Sequence, residues 1–300
     1  MRPRLALFCA AGSASCARDD MTEIDPKERA IARPPWWEAV CFLLQIGIVA
    51  GWWLVSLEGL SLGWDTLNHH VYLGWMAVEG NRLSTDVFAA GSMSCQFPYA
   101  YAPLYWLQRE GATGVQAALL LALPAVGAAP AVWLMSWTFV PRMGWQNSLA
   151  RGVFTWLGFL SPLWWSLLDS TSNDSLSALP IIWAFALAVW RSACELDTPP
   201  ALLKDRSQWL WWMLIGAMAA VALMLKISQV FAVLGLAVLV IASSNGIRAV
   251  IRRVAGVTAG AAFVSLFLWW PWARTVWAQC GSPVYPMLTD VLRPWAGVLP

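Results

Sequence analysis

Long apolar runs alternate with short polar segments along most of the chain, and the length of these runs predicts helices that cross a membrane. A helix rises about 1.5 Å per residue, so roughly 20 apolar residues cover the roughly 30 Å hydrocarbon layer of a bilayer. Seven runs approach this length, near residues 39–58, 114–137, 152–168, 175–191, 208–225, 228–243 and 254–271. The pattern therefore predicts an all-α, polytopic transmembrane helical bundle of about seven spans.

The apolar tract from Trp209 to Ile241 is too long for one crossing, because a single helix of that length would extend about 50 Å. A polar interruption, LKIS at residues 225–228, lies near its middle. We therefore predict a hairpin that turns at this point.

Composition supports the membrane assignment. Hydrophobic residues make up 59% of the chain and charged residues 12%, whereas about a quarter of the residues in a soluble domain are charged. The 23 tryptophans are typical of membrane boundaries, where one edge of the indole ring stays hydrated. A net charge of +2 is too small to indicate nucleic-acid binding, so membrane lipids are the expected surroundings.

The basic residues predict the orientation, because cytoplasmic loops of membrane proteins are enriched in lysine and arginine. Seven spans that start from a cytoplasmic N-terminus keep four basic clusters inside. These are Lys27, Arg29 and Arg33; Arg142 and Arg151; Arg191, Lys204 and Arg206; and Arg248, Arg252 and Arg253. The segment FPYAYAPLYWLQRE, residues 97–110, would invert this order as a span, so we predict an interfacial or re-entrant helix there.

The resulting domains are a cytoplasmic segment over residues 1–38, a transmembrane domain over 39–271 and an outer C-terminal segment over 272–300. A long outer loop, residues 59–113, follows the first span and carries the interfacial helices.

The first 20 residues imitate a secretory signal only loosely, with two arginines and a short apolar core. We favour Met21 as the true start, with the preceding residues an upstream extension of the reading frame. Among the six cysteines, Cys95 and Cys280 both fall on the predicted outer side. A disulfide between them and two free thiols are both open, and no spacing fits a zinc site.

The stretch GWDTLNHHVYLGW, residues 63–75, contains the only two histidines of the chain, His69 and His70. Asp65 lies four residues before His69, so the two side chains share one face of a helix. Such a face suits a general base beside a histidine, or half of a metal site. The alternative is an amphipathic helix on the membrane surface whose polar residues simply face water.

Further ionisable residues fall on the same predicted side. Asp86 is either a site carboxylate or a solvated loop residue, and Asp174 is either a site residue or the cap of the fourth span. Lys226 lies between two apolar helices, where an ammonium group must either snorkel to the surface or meet an anion such as a phosphate. Arg274 offers a second cation with the same two interpretations.

The order of these features resembles the GT-C class of polytopic glycosyltransferases, which includes protein mannosyltransferases and aminoarabinose transferases of lipid A. In that class an essential acidic residue lies in the first outer loop, the place that Asp65 occupies. The segments STSNDSLSALPIIWAFAL, ALMLKISQVFAVLGLA and WWPWARTVWAQCGSPVYPML, within residues 170–288, also resemble bacterial members.

The resemblance implies an inverting transferase that moves a sugar from a polyprenyl-phosphate carrier to an acceptor glycan, lipid or protein on the extracytoplasmic face. A bacterial inner membrane would be its location. Asp65 would be the catalytic base, Lys226 and Arg274 would hold the lipid phosphate, and Asp174 would be a second acidic residue. His69, His70 and Asp86 would contact substrates.

Two departures from the class keep alternatives open. Thr66 follows Asp65 where many members carry a second acid, so no cofactor is assigned and a divalent metal stays open. Members commonly have more spans than seven, so we expect this chain to be a truncated relative. The alternatives are a membrane transporter or lipid flippase, since buried ionisable groups also mark transport paths, and a non-catalytic paralogue.

Overall fold

The computed structural model describes residues 34–80, 91–197, 205–285 and 287–298, and all secondary structure in these ranges is helical. The α-helices are α1 (Trp36–Ser56), α2 (Val71–Val78), α3 (Ala102–Arg109), α4 (Gly114–Leu121), α5 (Leu123–Gly127), α6 (Ala129–Phe139), α7 (Trp145–Leu157), α8 (Pro162–Leu168), α9 (Asp174–Asp197), α10 (Asp205–Leu225), α11 (Val230–Ala242), α12 (Ile247–Val264), α13 (Trp270–Cys280) and α14 (Thr289–Leu292). Two π-helical turns, Thr66–His70 and Ser265–Trp269, precede α2 and α13. The all-α prediction is confirmed.

Five helical stretches are long and apolar enough to cross a membrane, as expected of a multi-pass membrane protein. They are Trp36–Ser56, Gly114–Phe139, Asp174–Glu195, Gln208–Leu225 and Ile247–Cys280. The predicted count of about seven is not confirmed, because the other two runs do not form helices of that length. The run at 228–243 lies in the shorter apolar helix Ile227–Ala242.

The prediction of one continuous helix over residues 152–168 is wrong. Helix α7 ends at Leu157 and α8 begins at Pro162. Ser161 has an extended backbone, with φ −65° and ψ 128°, because the ring of a following proline disfavours the helical region for the residue before it. Pro162 also has no backbone N–H to continue the ladder.

The predicted break at Lys226 is confirmed, and its cause is local. Lys226 itself is extended, with φ −154° and ψ 116°, and a short 3₁₀ turn, Ile227–Gln229, leads into α11.

The predicted interfacial segment at 97–110 is also helical, as a 3₁₀ turn over Pro98–Tyr101 followed by α3. The side of a membrane on which it lies stays a prediction.

Contacts between distant segments define two ends of the molecule. At the first, which we call the arginine end, Glu38 contacts Arg151 and Glu195 contacts Arg253. At the second, the cavity end, Ser61 N donates to Asp169 O at 2.8 Å and Leu60 N donates to Gly114 O at 3.1 Å. Helix α1, for example, begins beside Glu38 at the arginine end and ends at Ser56, shortly before Leu60 and Ser61 at the cavity end.

The arginine end contains a buried ion pair with every charged atom satisfied. Arg151 and Glu38 are 0% and 1% exposed, and Arg151 Nη2 lies 2.5 Å from Glu38 Oε1. Glu38 also accepts hydrogen bonds from Trp133 Nε1 at 3.1 Å and Ser148 Oγ at 2.5 Å. Arg151 Nη1 donates to two backbone carbonyls, those of residues 140 and 142. A buried pair is tolerated only with such additional partners.

A second pair at the same end repeats this arrangement. Arg253 Nη2 lies 2.8 Å from Glu195 Oε2, and Arg253 Nη1 donates to the hydroxyls of Ser192 and Ser243. The indole of Trp212 donates to Glu195 and lies 4.7 Å from the guanidinium carbon of Arg253. These contacts join α9, α10, α11 and α12.

Glycines let α10 and α12 approach closely, and these two helices also form one wall of the cavity. A Cβ atom at Gly216 would lie 1.9 Å from Val257 O, and one at Gly260 would lie 1.8 Å from Met213 O. Gly256 and Gly260 form a small-x-x-x-small pair of the kind that joins membrane helices. The same helix pair continues into the apolar wall of the cavity described next.

Candidate functional site

A cavity of about 640 Å³ opens at the cavity end, between α10, α11, α12 and the segment that follows α1. Its two poles differ in chemistry. One pole is polar and contains Asp65, His69, His70, Asp174 and Lys226. The other is apolar and lies between the helices. An amphipathic ligand therefore fits this space better than a purely polar or purely apolar one.

Asp65 and His69 lie together at the polar pole, as their spacing predicts. Asp65 Oδ1 lies 3.8 Å from His69 Nδ1; the carboxylate is 64% exposed, whereas the imidazole is 7% exposed. His69 Nδ1 has no hydrogen-bond partner among the described residues. Burial lowers the pKa of His69, and the nearby Asp65 opposes this only in part. The arrangement presents an accessible carboxylate beside a neutral imidazole.

His70 is fixed by a buried network. Its Nδ1 lies 2.7 Å from Thr171 Oγ1, which in turn lies 2.6 Å from Thr66 Oγ1. The imidazole also stacks on the ring of Tyr101, with centroids 4.5 Å apart. Burial, followed by the charge of His69, lowers the pKa of His70 to about 4. His70 is therefore neutral at pH 7 and joins three segments of the site.

Lys226 and Asp174 both line the cavity and form an ion pair with each other. Lys226 Nζ donates to Asp174 Oδ1, and Ser172 Oγ donates to Asp174 Oδ2. Both charged side chains are partly exposed, 31% for Lys226 and 37% for Asp174. Asn173 Nδ2 donates to Leu225 O at 2.7 Å, which ties the start of α9 to the end of α10. The ammonium group is held in place and still accessible.

The apolar pole is built from small and aliphatic side chains of the membrane helices. Those that line it include Ala219, Leu223, Val233, Val257 and Ala261. Ala219 and Ala261 lie within one turn of Gly216 and Gly260, where α10 and α12 are in close contact, and their short side chains take up little of the cavity. An apolar channel between helices is suited to hydrocarbon.

Both π-helical turns of the described chain contribute to this cavity. Thr66–His70 supplies His69 and His70, and Ser265–Trp269 supplies its two end residues. A π turn widens the helix by one residue, and such turns occur often at functional sites. Here they redirect side chains toward the same space from two sequence-distant helices.

A disulfide between Cys95 and Cys280 joins two parts of the rim. Gln96 and Phe97 follow the first cysteine, and Val284 and Tyr285 follow the second at a short distance in sequence. Of the two alternatives that the sequence leaves open for these cysteines, the paired one is present. The disulfide holds the long loop and the C-terminal segment together around the cavity.

The predicted site residues fall into three groups. Asp65, His69, His70, Asp174 and Lys226 all line the cavity. Arg274 is exposed on α13 and does not line it, because the inward face of that helix carries Trp272 and Val276. Asp86 lies outside the described residues.

Sequence reasoning missed several residues of the site. Thr171 and Asn173 organise the polar pole, and Tyr101 stacks on His70. The polar run DSTSNDS, residues 169–175, was the one indication of these residues in the sequence. Polar residues between two apolar runs must either be solvated or bind one another. Nothing in the sequence indicated which of them would contact residues 101 positions earlier.

Within the described ranges, no group of three or more His, Cys, Asp or Glu side chains comes close enough to hold a metal ion. Asp65 and His69 offer two ligands at most, whereas a catalytic zinc site uses three protein ligands.

Comparison with known proteins gives no match: no protein-family model, no curated protein and no solved structure corresponds to this chain.

Proposed function

We propose that this protein is an integral membrane glycosyltransferase that moves a sugar from a polyprenyl-phosphate carrier to an acceptor. The observation that carries the proposal is the composition of the cavity. An exposed carboxylate and an accessible ammonium group lie at one pole, and a hydrocarbon-compatible channel lies at the other. A lipid phosphate sugar has the same division between a charged head and an apolar tail.

The roles follow from the geometry of the polar pole. Asp65 removes the proton from the acceptor hydroxyl, and the acceptor oxygen attacks the anomeric carbon. The bond from that carbon to the phosphate oxygen breaks, and the lipid phosphate leaves with the electron pair. Lys226 stabilises the charge that develops on the phosphate through a charge-assisted hydrogen bond. Attack opposite to the leaving group inverts the anomeric centre.

Asp174 holds Lys226 before the donor binds. A phosphate competes with this carboxylate for the ammonium group, so the ion pair keeps the cation oriented while it stays available. His69 and His70 are neutral and contact hydroxyl groups of the substrates. The proposal gives Arg274 no role in donor binding.

The membrane topology belongs to the same proposal. In it the seven apolar segments of the sequence cross the membrane, and five helical stretches among the described residues are long and apolar enough to do so alone. With the arginine end in the cytoplasm, the cavity opens on the extracytoplasmic face of a bacterial inner membrane.

The direct test is Asp65→Asn, assayed for transfer of radiolabelled sugar from a purified lipid carrier pool to cell-envelope acceptors. We expect transfer to fall by a factor of about 10² to 10⁴, the usual effect of losing a general base. Stability should change little because Asp65 is exposed. Glu58→Gln is a matched control, since Glu58 is also exposed but does not line the cavity.

Near-normal transfer by Asp65→Asn would exclude Asp65 as the base. Movement of the lipid carrier across a proteoliposome membrane without any covalent product would instead support the flippase alternative, which the same amphipathic cavity would serve.

A further inference from the structure

A second cavity lies beside the first and shares part of its wall. It has a volume of about 650 Å³, and three residues, Asp65, His70 and Ser172, line both spaces. The shared wall is rigid because His70 is fixed by Thr171 and by stacking on Tyr101. A group bound in either cavity therefore reaches the same carboxylate from its own side.

The second cavity is lined by a different set of side chains. Trp53, Trp64 and Trp165 supply aromatic surface, and Leu57 is its only aliphatic side chain among the described residues. The first cavity, in contrast, carries a wall of aliphatic side chains from α10, α11 and α12. A hydrocarbon tail is therefore suited to the first cavity and poorly suited to the second.

The aromatic surface is supported by its own packing. The rings of Trp53 and Trp165 meet edge to face with centroids 5.7 Å apart, and Trp165 meets Trp164 in the same way at 4.8 Å. Such pairs hold each ring in a fixed orientation. Trp64 is 72% exposed, and its ring centroid lies 6.4 Å from that of His69, so most of the indole surface is accessible.

Polar groups complete the lining. Ser61, Ser166, Ser170 and Asp169 also line the space. Ser166 Oγ donates to Leu163 O at 2.9 Å and Ser170 Oγ accepts from Ser172 N at 3.0 Å, so each hydroxyl keeps further hydrogen-bonding capacity. The Asp169 side chain makes no hydrogen bond or ion pair with any residue that the structure describes, while its backbone carbonyl is held by Ser61 N. Hydroxyls both donate and accept, and a carboxylate accepts from two or more donors.

We propose that this second cavity binds a carbohydrate and holds the acceptor for sugar transfer. Flat aromatic faces attract the weakly positive C–H faces of a sugar ring because the ring face is electron-rich. The serine hydroxyls and Asp169 bind ring hydroxyls, and Asp65 meets the hydroxyl that is to be glycosylated. This inference rests on the proposed function and narrows its acceptor to a saccharide or a saccharide-bearing lipid headgroup.

The test is saturation-transfer NMR on the full chain in nanodiscs, with a panel of methyl hexosides, N-acetylhexosamines and maltotriose as probes. We expect saturation of ring protons by the wild-type protein. Trp64→Ala should weaken binding by about 3- to 10-fold, the value of one aromatic contact. Asp169→Asn should weaken it as well and keeps the backbone bond to Ser61.

Trp145→Ala is the matched control, because Trp145 is 75% exposed on α7 and does not line the cavity. Trp64→Phe should retain most of the binding, since an aromatic face remains. No saturation of any saccharide, or equal saturation by wild type and Trp64→Ala, would overturn the inference.

Failure of this inference and failure of the proposed function are distinguishable, because the NMR experiment contains no lipid donor. Saccharide binding that depends on Trp64, together with no sugar transfer by the wild-type protein, would refute the proposed function and leave a carbohydrate site. Transfer that depends on Asp65, together with an acceptor KM unchanged by Trp64→Ala, would place the acceptor elsewhere.

Discussion

The two ends of the molecule use the same kinds of charged side chains in opposite ways. At the arginine end, Glu38 and Arg151 are almost fully buried, and every polar atom of the pair has a partner. At the cavity end, Asp65 is mostly exposed, and the Asp174–Lys226 pair is about one-third exposed. The first set has no capacity left for a ligand, whereas the second does.

This difference separates structural charges from functional ones better than residue type does. A buried ion pair whose donors and acceptors are all satisfied fixes neighbouring helices, and loss of one partner is costly. A partly exposed pair contributes little to stability, because water screens it. Its charges can be redirected to a phosphate or a hydroxyl at little cost to the fold.

The largest expected effect is at the arginine end. Arg151→Met leaves Glu38 buried without its cation, which should lower the free energy of unfolding by about 3–5 kcal/mol. Thermal unfolding of the detergent-solubilised protein measures this. The double variant Glu38→Leu/Arg151→Met removes both charges and should recover most of the loss, and a double variant as unstable as the single one would contradict this account.

At the cavity end, Lys226→Met should have little effect on stability and a large effect on donor affinity. Its partner Asp174 stays partly hydrated, so stability should change by about 1 kcal/mol or less. Affinity for the lipid phosphate donor should fall by about 10- to 100-fold, since charge-assisted hydrogen bonds contribute about 1.5–3 kcal/mol. Donor titration against transfer rate measures this, and an unchanged apparent affinity would remove Lys226 from the donor site.

Acidification should destabilise the cavity end through His70. Its pKa is about 4 in the folded protein, below the ordinary value of 6.5, because burial and the charge of His69 disfavour the imidazolium form. The unfolded chain therefore binds the proton first. The stabilising contribution is fully present above pH 6.5 and is lost as the pH falls from 6.5 toward 4.

Unfolding midpoints of the wild type and His70→Asn between pH 7.5 and 4.5 test this expectation. The variant should be less stable at pH 7.5 and should lose less stability on acidification, with the remaining dependence arising partly from His69. Equal pH profiles for the two proteins would show that His70 does not titrate as its surroundings imply.

The smallest effect is expected at Arg274, which is exposed and outside the cavity. Arg274→Ala should leave donor affinity within about twofold and stability within about 0.5 kcal/mol of wild type, as for most surface substitutions. The same donor titration as for Lys226→Met provides the comparison. A loss as large as that of Lys226→Met would restore Arg274 to the donor site.

Several elements of this arrangement were predictable from the sequence because they depend on local physics. Apolar run length predicted the long helices, and the i, i+4 spacing of Asp65 and His69 predicted their contact. The length of the tract from Trp209 to Ile241 predicted a break at LKIS, and the charge of Lys226 predicted that it either snorkels or meets an anion. Each of these features is decided within a single continuous segment of the chain.

Features that depend on distant partners were not predictable in the same way. The carboxylate that meets Lys226 is 52 residues away, and a single sequence does not specify which of several aspartates would fill that place. Arg151 was interpreted only as a sign of topology, although it lies in a saturated buried network. The sequence did contain one indication of this network. Glu38 lies in an apolar helix, and a buried carboxylate there requires a cation as its partner.

The helix break at Ser161–Pro162 shows a different limit. The apolar residues over 152–168 predict one span, but Pro162 disfavours the helical conformation of Ser161 and divides the segment. Its continuity was predicted wrongly, whereas its direction across a membrane stays a prediction.

The disulfide between Cys95 and Cys280 has a consequence for biosynthesis. A ribosome that adds about 5–20 residues per second needs about 10–40 s to make the 185 residues that separate the two cysteines. During this time Cys95 is a free thiol, and the site lacks the wall that Trp272 and Tyr285 later provide. The site therefore cannot be complete before residue 285 is made. A mixed disulfide formed meanwhile between Cys95 and a small disulfide, with release of one thiol, would block the bond to Cys280 until it is exchanged.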